Sequence, residues 1–282
     1  MYVRWGMKEL RRKVPSSYYL HLRPYPYSSS AALHKAASSC STSSDPKNPR
    51  KSLLFSKPQP LSIPPESKLW HQEREFTGLS RLGLRILGYY NRKSILMRKA
   101  RTLYSRISNV VENPSLYATF GLEKSFRTVY SMLILHMWLC LARTKGEQPD
   151  GRDFGEALYV LFMEDLEHRV TDAGVRMHFS KWMSELEKMF YGAVKVYDEA
   201  MKSESPKDAL AHALWKNVFA EDDSPMPNGQ EAAPVQNLAQ YVRRETGCLA
   251  LTDKEIIFSG NILFSADNSW KDEENSNDES TV

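Results

Sequence analysis

The stretch Val129-Tyr-Ser-Met-Leu-Ile-Leu-His136-Met-Trp138-Leu-Cys140-Leu-Ala142 decides the fold. It is 14 residues long and contains no Asp, Glu, Lys or Arg. A membrane span needs roughly 20 apolar residues, so the run predicts a buried helix, over about 123–144, and no transmembrane span. A peripheral role at a membrane stays open. Arg143 and Lys145 follow where a helix C-terminus favours cations, and Gly146 supplies a stop. A helix that is apolar nearly all round must be covered by neighbours, so the flanking sequence should supply them.

It does so with helical periodicity. Upstream, Leu82, Ile86, Tyr89, Tyr90, Leu96, Leu103, Tyr104, Ile107 and Val111 give a partial stripe over about 79–112, closed before Pro114. Gly83 and Gly88 weaken its early part, and Ser94 marks a candidate break. Downstream, Phe154, Ala157, Leu158, Leu161, Phe162 and Leu166 define a helix over 151–171. Trp182, Leu186, Met189, Phe190, Val194, Tyr197 and Met201 define another over about 180–202. Ser205 as N-cap, Pro206 at the first position and Asp208 at the third open a fifth helix. A sixth spans about 235–246 on Leu238, Tyr241 and Val242, with Gly247 past its end. Cys248 to Phe264 has room for a short strand or hairpin. The expected fold class is therefore all-α: a single helical-bundle domain of about six helices with disordered termini.

Charge is unevenly placed. The net +4 conceals a leader, 1–52, with 10 Lys/Arg and 2 acids, and a segment, 68–106, with the same counts. Residues 107–282 are acidic, with 17 basic against 29 acidic side chains. In the leader, Val3, Met7, Leu10 and Val14 share one helical face among Arg4, Lys8, Arg11, Arg12 and Lys13, and a Ser-rich stretch follows Pro15. An amphipathic, Arg- and Ser-rich, acid-poor N-terminus has the composition of an organelle transit peptide. We read residues 1–50 as a mitochondrial transit peptide and 51–78, rich in proline, as a linker. Residues 79–113 form a basic helical segment and 114–247 the main domain. Residues 248–282 hold the short strand and an acidic tail. Arg81, Arg85, Arg92, Lys93, Arg98, Lys99 and Arg101 on the basic segment are either a solvated face or a contact to RNA phosphates or anionic lipid.

Catalytic motifs are absent. Cys40, Cys140 and Cys248 share no CxxC, and Cys140 lies in the most apolar stretch, where a thiol is inert. There is no GxSxG, P-loop or GxGxxG. Asp165 and His168, with Glu164 beside them, have the spacing of a di-iron ligand pair. No second acid-x-x-His pair completes it, because Leu133, Val175 and Ala209 precede His136, His178 and His212. His136 within the buried helix reads as a core histidine more readily than as a haem ligand. No cofactor is assigned. Residue chemistry alone stops at an organelle-imported helical interaction protein. An organelle RNA-binding protein and a metal-dependent helical enzyme are the competing classes.

His136-Met-Trp138-Leu-Cys140-Leu-Ala-Arg143 resembles the buried-helix signature of the ubiquinol–cytochrome c chaperone family. The likeness continues through Phe162-Met-Glu164-Asp165 with Arg169, Gly174-Val175, Phe190-Tyr191-Gly192 and Tyr197-Asp198-Glu199-Ala200. Leu210 to Trp215 and Leu238-Ala-Gln-Tyr241-Val242-Arg243 complete it. The resemblance implies a non-enzymatic assembly factor of respiratory complex III at the matrix face of the mitochondrial inner membrane. Newly synthesised cytochrome b would be its client, a small partner chaperone would form a heterodimer with it, and it would associate with the mitochondrial ribosome. His136, Trp138, Arg143, Glu164, Asp165, Tyr191, Tyr197, Asp198, Trp215, Tyr241 and Arg243 become the marker residues. Trp138 and Trp215 are expected in the core, while Tyr197-Asp198 and Arg243 suit a polar lock or an interface. Of Met132, Met137, Met163, Met177, Met183, Met189 and Met201, two or three are expected at the surface as adaptable apolar contacts.

Overall fold

Apolar side chains on nearly every side bury the central part of Phe126–Thr144, Tyr130 to Cys140, and other helices are arranged around it. The computed structural model describes residues 56–73, 76–147, 149–220 and 224–266. Nine α-helices occur among them. They are α1 (Gly78–Ile86), α2 (Arg92–Glu112), α3 (Pro114–Phe120), α4 (Phe126–Thr144), α5 (Asp150–Asp172), α6 (Phe179–Ala200), α7 (Ala209–Leu214), α8 (Ala233–Leu251) and α9 (Lys254–Ser259). The fold is all-α. α4 packs against α2, α5, α6 and α8, and α2 and α5 share the largest helix–helix contact. Leu133, Leu135, Met137 and Cys140 of α4 are fully buried. Its start is fixed by a capping box, in which Ser125 accepts from the Thr128 N–H and Thr128 Oγ1 accepts from the Ser125 N–H at 2.9 Å.

The α4–α5 corner depends on a missing side chain. Gly151 approaches the end of α4 so closely that a Cβ there would lie 1.8 Å from the Thr144 carbonyl oxygen. Backbone cannot retreat as a flexible side chain can, so Gly151→Ala should destabilise the protein by about 1–3 kcal/mol. A urea midpoint equal to that of wild type would show that the corner relaxes freely.

Several boundaries differ from expectation. The early basic stretch breaks at Leu87–Asn91 rather than at Ser94, dividing one expected helix into α1 and α2. Ser205 does not cap a fifth helix. Its hydroxyl donates to the Glu199 carbonyl at 2.6 Å, closing the end of α6, and α7 begins at Ala209. α8 continues through Gly247 to Leu251. The absent side chain at Gly247 admits Pro58, whose Cγ would sit 3.0 Å from an added Cβ.

The expected hairpin in 248–264 is corrected. Those residues finish α8 and form α9, and the pairing nearby is an isolated antiparallel bridge between Ser62 and Ile262. Short apolar runs read equally well as strand or helix, and tertiary contacts chose here. Phe258 meets Phe154 at 4.6 Å between centroids, and Phe264 sets its edge against His136 at 5.1 Å. The described part of the Pro-rich stretch is irregular, because proline supplies no N–H for a ladder. It is nevertheless no free linker. Leu61 and Ile63 are buried, the Leu61 N–H donates to Thr252 Oγ1 at 2.9 Å, and the Ile63 N–H donates to the Asn261 carbonyl at 3.0 Å. The leader 1–50 and the acidic tail 267–282 lie outside the described residues. Among the described residues no helix is long and apolar enough to cross a membrane.

Candidate functional site

The marker residues lie at helix contacts and do not converge on one catalytic centre. His136 is fully buried on α4. Its Nδ1 lies 2.8 Å from the Met132 carbonyl, which can only accept, so Nδ1 carries the proton. Nε2 therefore accepts from the Tyr241 hydroxyl at 2.9 Å, tying α4 to α8. Burial pulls the imidazole down to about 4, and the Met132 bond opposes that only in part. A neutral ring with both nitrogens engaged is a core histidine.

Trp138 donates its indole N–H to Asp198 at 2.8 Å, and Lys145 approaches the same carboxylate at 3.6 Å, joining α4 to α6. Burial lowers the Lys145 ammonium while Asp198 raises it. Tyr197 next to it is fully buried, and its hydroxyl has no hydrogen-bond partner among the described residues, so the Tyr197-Asp198 pair expected at a polar lock or an interface is split. Asp198 forms the lock and Tyr197 lies in the core. Arg143 donates to the Leu249 carbonyl at 3.0 Å and pairs with Glu147 at 2.8 Å. Arg243 donates to the Lys207 carbonyl at 2.6 Å from an exposed position. Trp215 is only half-buried, against the expectation of core, and its N–H donates to the Ser224 carbonyl at 2.9 Å. Tyr191 stacks on Tyr159 at 5.9 Å.

Asp165 is committed elsewhere than to a metal. It accepts from the Tyr104 hydroxyl and from Arg169, both at 2.6 Å, while His168 is exposed and Glu164 half-buried. Arg169 also bonds Glu112, so this cluster joins α5 to α2. Among the described residues no group of three or more His, Cys, Asp or Glu could hold a metal ion. Burial pushes the Cys140 thiol well above its usual range.

Apolar area is also present at the surface. Trp182, Met189 and Val196 of α6 are exposed, at 54%, 52% and 43%, and their seven-residue spacing places them on one line. The inward face of the same helix is Met183, Leu186, Phe190, Ala193, Val194 and Tyr197. The stripe expected over 180–202 combines the two lines, with Trp182 and Met189 alongside Leu186 and Phe190; the spacing of seven is what separates them. Two of the seven methionines named above, Met177 and Met189, are exposed, and Met132, Met137, Met163 and Met183 are buried. The second apolar surface is α1, with Leu79, Leu82, Ile86 and the following Leu87 turned to solvent and no buried residue.

The family model described as ubiquinol-cytochrome C chaperone matches residues 118–264, from α3 through Phe264. This chain belongs to that family. It is similar to the ubiquinol-cytochrome c reductase complex assembly factor 1 of Mus musculus, at 26% identity over 58% of this chain and 53% of the relative. The Xenopus laevis protein named likewise is 25% identical over 62% of this chain and 84% of its own length. The chain thus spans about half the length of the mouse relative and most of the frog one. Among solved structures, the Cbp3 homolog from Brucella abortus matches with a TM-score of 0.53 and 28% identity, over 64% of this chain and 96% of that one. The exposed ridge of α6 lies inside the family match, and α1 and α2 lie outside it.

Proposed function

We propose that this chain is a non-enzymatic mitochondrial assembly factor for the ubiquinol–cytochrome c reductase complex, holding newly made cytochrome b on the outer ridge of α6 alongside a small partner protein. The observation that carries the reading is the line Trp182, Met189 and Val196 within the family-matched region. An unassembled membrane protein presents aliphatic helices to water. A holder needs an apolar strip that a helix can lie along, with a polar rim to limit indiscriminate association. The α6 ridge has that form: Lys181, Glu185, Lys188 and Lys195 border it and are exposed. Its thioether and indole adapt to client segments of different shape. The matrix face of the inner membrane, where a membrane-embedded client would be received, is the place we assign to it.

The test is Trp182→Asp combined with Met189→Asp and Val196→Asp, expressed in cells lacking the wild-type gene. All three positions are exposed, so the thermal midpoint should stay close to wild type; surface changes usually fall within about 0.5 kcal/mol each. Crosslinking to newly synthesised cytochrome b should fall by about tenfold or more, since interface energy concentrates in a few large anchors. The level of assembled complex should fall with it. Normal complex in the triple variant would displace the ridge as the holding surface. Normal complex in the deletion itself would overturn the functional reading.

A further inference from the structure

We propose that α1 is an interfacial anchor that lies in an anionic bilayer surface, with its leucines in the acyl region and the cations beside it at the phosphates. This goes beyond the chaperone reading and does not rest on it, because α1 and α2 lie outside the family match.

Three features of the segment point the same way. First, Leu79, Leu82, Ile86 and Leu87 are 88%, 58%, 80% and 81% exposed, and α1 buries none of its own residues. At 100° per residue they fall within one arc, while Arg81 and Arg85 lie outside it and Leu84 turns towards the body. An apolar face with a cationic border and low mean hydropathy is the pattern of a helix that lies in an interface. Second, Phe76 to Val111 contains eight Lys/Arg and no Asp or Glu. Arg92 is paired with Asp150 and Asp153, Arg98 with Glu73, and Arg106 donates to the Leu69 carbonyl. Arg81, Arg85, Lys93, Lys99 and Arg101 make no ion pair among the described residues. Third, a groove of about 650 Å³ lies where α1 meets α2, with Leu84, Leu87, Tyr89, Met97 and Lys93 among its lining residues. Apolar lining beside Lys93, which makes no ion pair among the described residues, suits the base of a lipid headgroup.

A nucleic acid would use the cations but leave four aliphatic side chains in water. It would also need free aromatic faces for stacking. Tyr89 and Tyr90 are the aromatic pair here, and the face of Tyr89 is taken by the Arg98 guanidinium, 3.9 Å from the ring centroid. A bilayer surface satisfies both halves of the segment at once.

The full chain should bind vesicles of phosphatidylcholine with cardiolipin and bind vesicles of phosphatidylcholine alone weakly. Leu79→Ser with Leu82→Ser and Ile86→Ser should weaken the former by about tenfold or more at unchanged thermal midpoint. Arg81→Glu with Arg85→Glu should also weaken it, and the loss should shrink as salt rises. Arg92 and Arg98 are unsuitable for reversal because both hold internal contacts. Amide exchange across 78–87 should be fast in the free protein, as for a nine-residue helix without tertiary cover, and should slow when the anionic vesicles are added. Vesicle binding untouched by the serine substitutions would overturn the proposal, since another part of the chain would then be responsible. Protection of 78–87 before lipid is added would also overturn it, because the chain would already cover the face. So would arginine reversals that abolish binding to a structured RNA while the serine variants leave vesicle binding unchanged.

Discussion

Tyr241→Ala should lower the unfolding free energy by about 3–5 kcal/mol, as large-to-small changes of buried aromatics do. The ring is fully buried on α8, between Phe120 of α3 at 5.5 Å and His136 of α4 at 5.9 Å. Removing it opens a cavity bounded by three helices. It also strips His136 Nε2 of the hydroxyl that donates to it at a fully buried position. Tyr241→Phe separates the two losses. It preserves shape and removes only the bond, which should cost about 1–3 kcal/mol for the orphaned acceptor. Both are read as shifts of the urea midpoint at constant slope. If the alanine variant stays within about 1 kcal/mol of wild type, the α4–α8 pairing does not hold the bundle.

Acid should weaken the fold through His136. Its folded value is depressed to about 4, below the ordinary 6.5, so between those values the unfolded chain binds the proton and the folded one does not. Stability from this group is complete above about 6.5 and drains away as pH falls towards 4. The whole window is worth about 3 kcal/mol, at 1.36 kcal/mol per unit. Glu245 acts in the opposite sense. Burial raises its carboxyl, with Ser265 and Arg244 opposing, so its contribution is present at low pH and is lost as pH rises through the folded value. The comparison that isolates His136 is therefore wild type against His136→Gln across pH 4–7, since Glu245 is common to both. The difference in unfolding free energy should shrink as pH falls, and a constant difference would place the ring's titration elsewhere.

The helices that proved easiest to read had strong and simple patterns. Val129 to Ala142 read as interior, and the structure buries every residue from Tyr130 to Cys140, leaving Val129, Leu141 and Ala142 half-buried. Asp150–Asp172 and Phe179–Ala200 emerged close to their expected bounds because their apolar spacing runs unbroken. α3 and α9 are too short to show a period, and both exist through packing: Leu116, Tyr117 and Phe120 from one, Ile257 and Phe258 from the other, are buried. Ser205 and Pro206 looked like a helix start, but a hydroxyl that can cap the next helix can equally close the previous one. The marker residues were legible by type, and their roles were not. Asp198 read as a polar lock or an interface with no partner named, and tertiary structure supplies Trp138 and Lys145; Asp165 receives Tyr104 from α2 as well as Arg169 from its own helix.

Order along the chain determined that this protein is helical, where its central helix runs, which segments are basic or acidic, and which family it resembles. Periodicity and charge are local properties, so one dimension suffices for them. Which apolar residues would remain outside was decided only in three dimensions. Trp182 and Leu186 have the same hydropathic character and differ in whether another helix lies above them; Leu82 and Leu103 differ likewise. Exposure depends on neighbours far away in sequence, and it is exposure that separates the α6 ridge we propose as a holding surface from the core-facing side of the same helix.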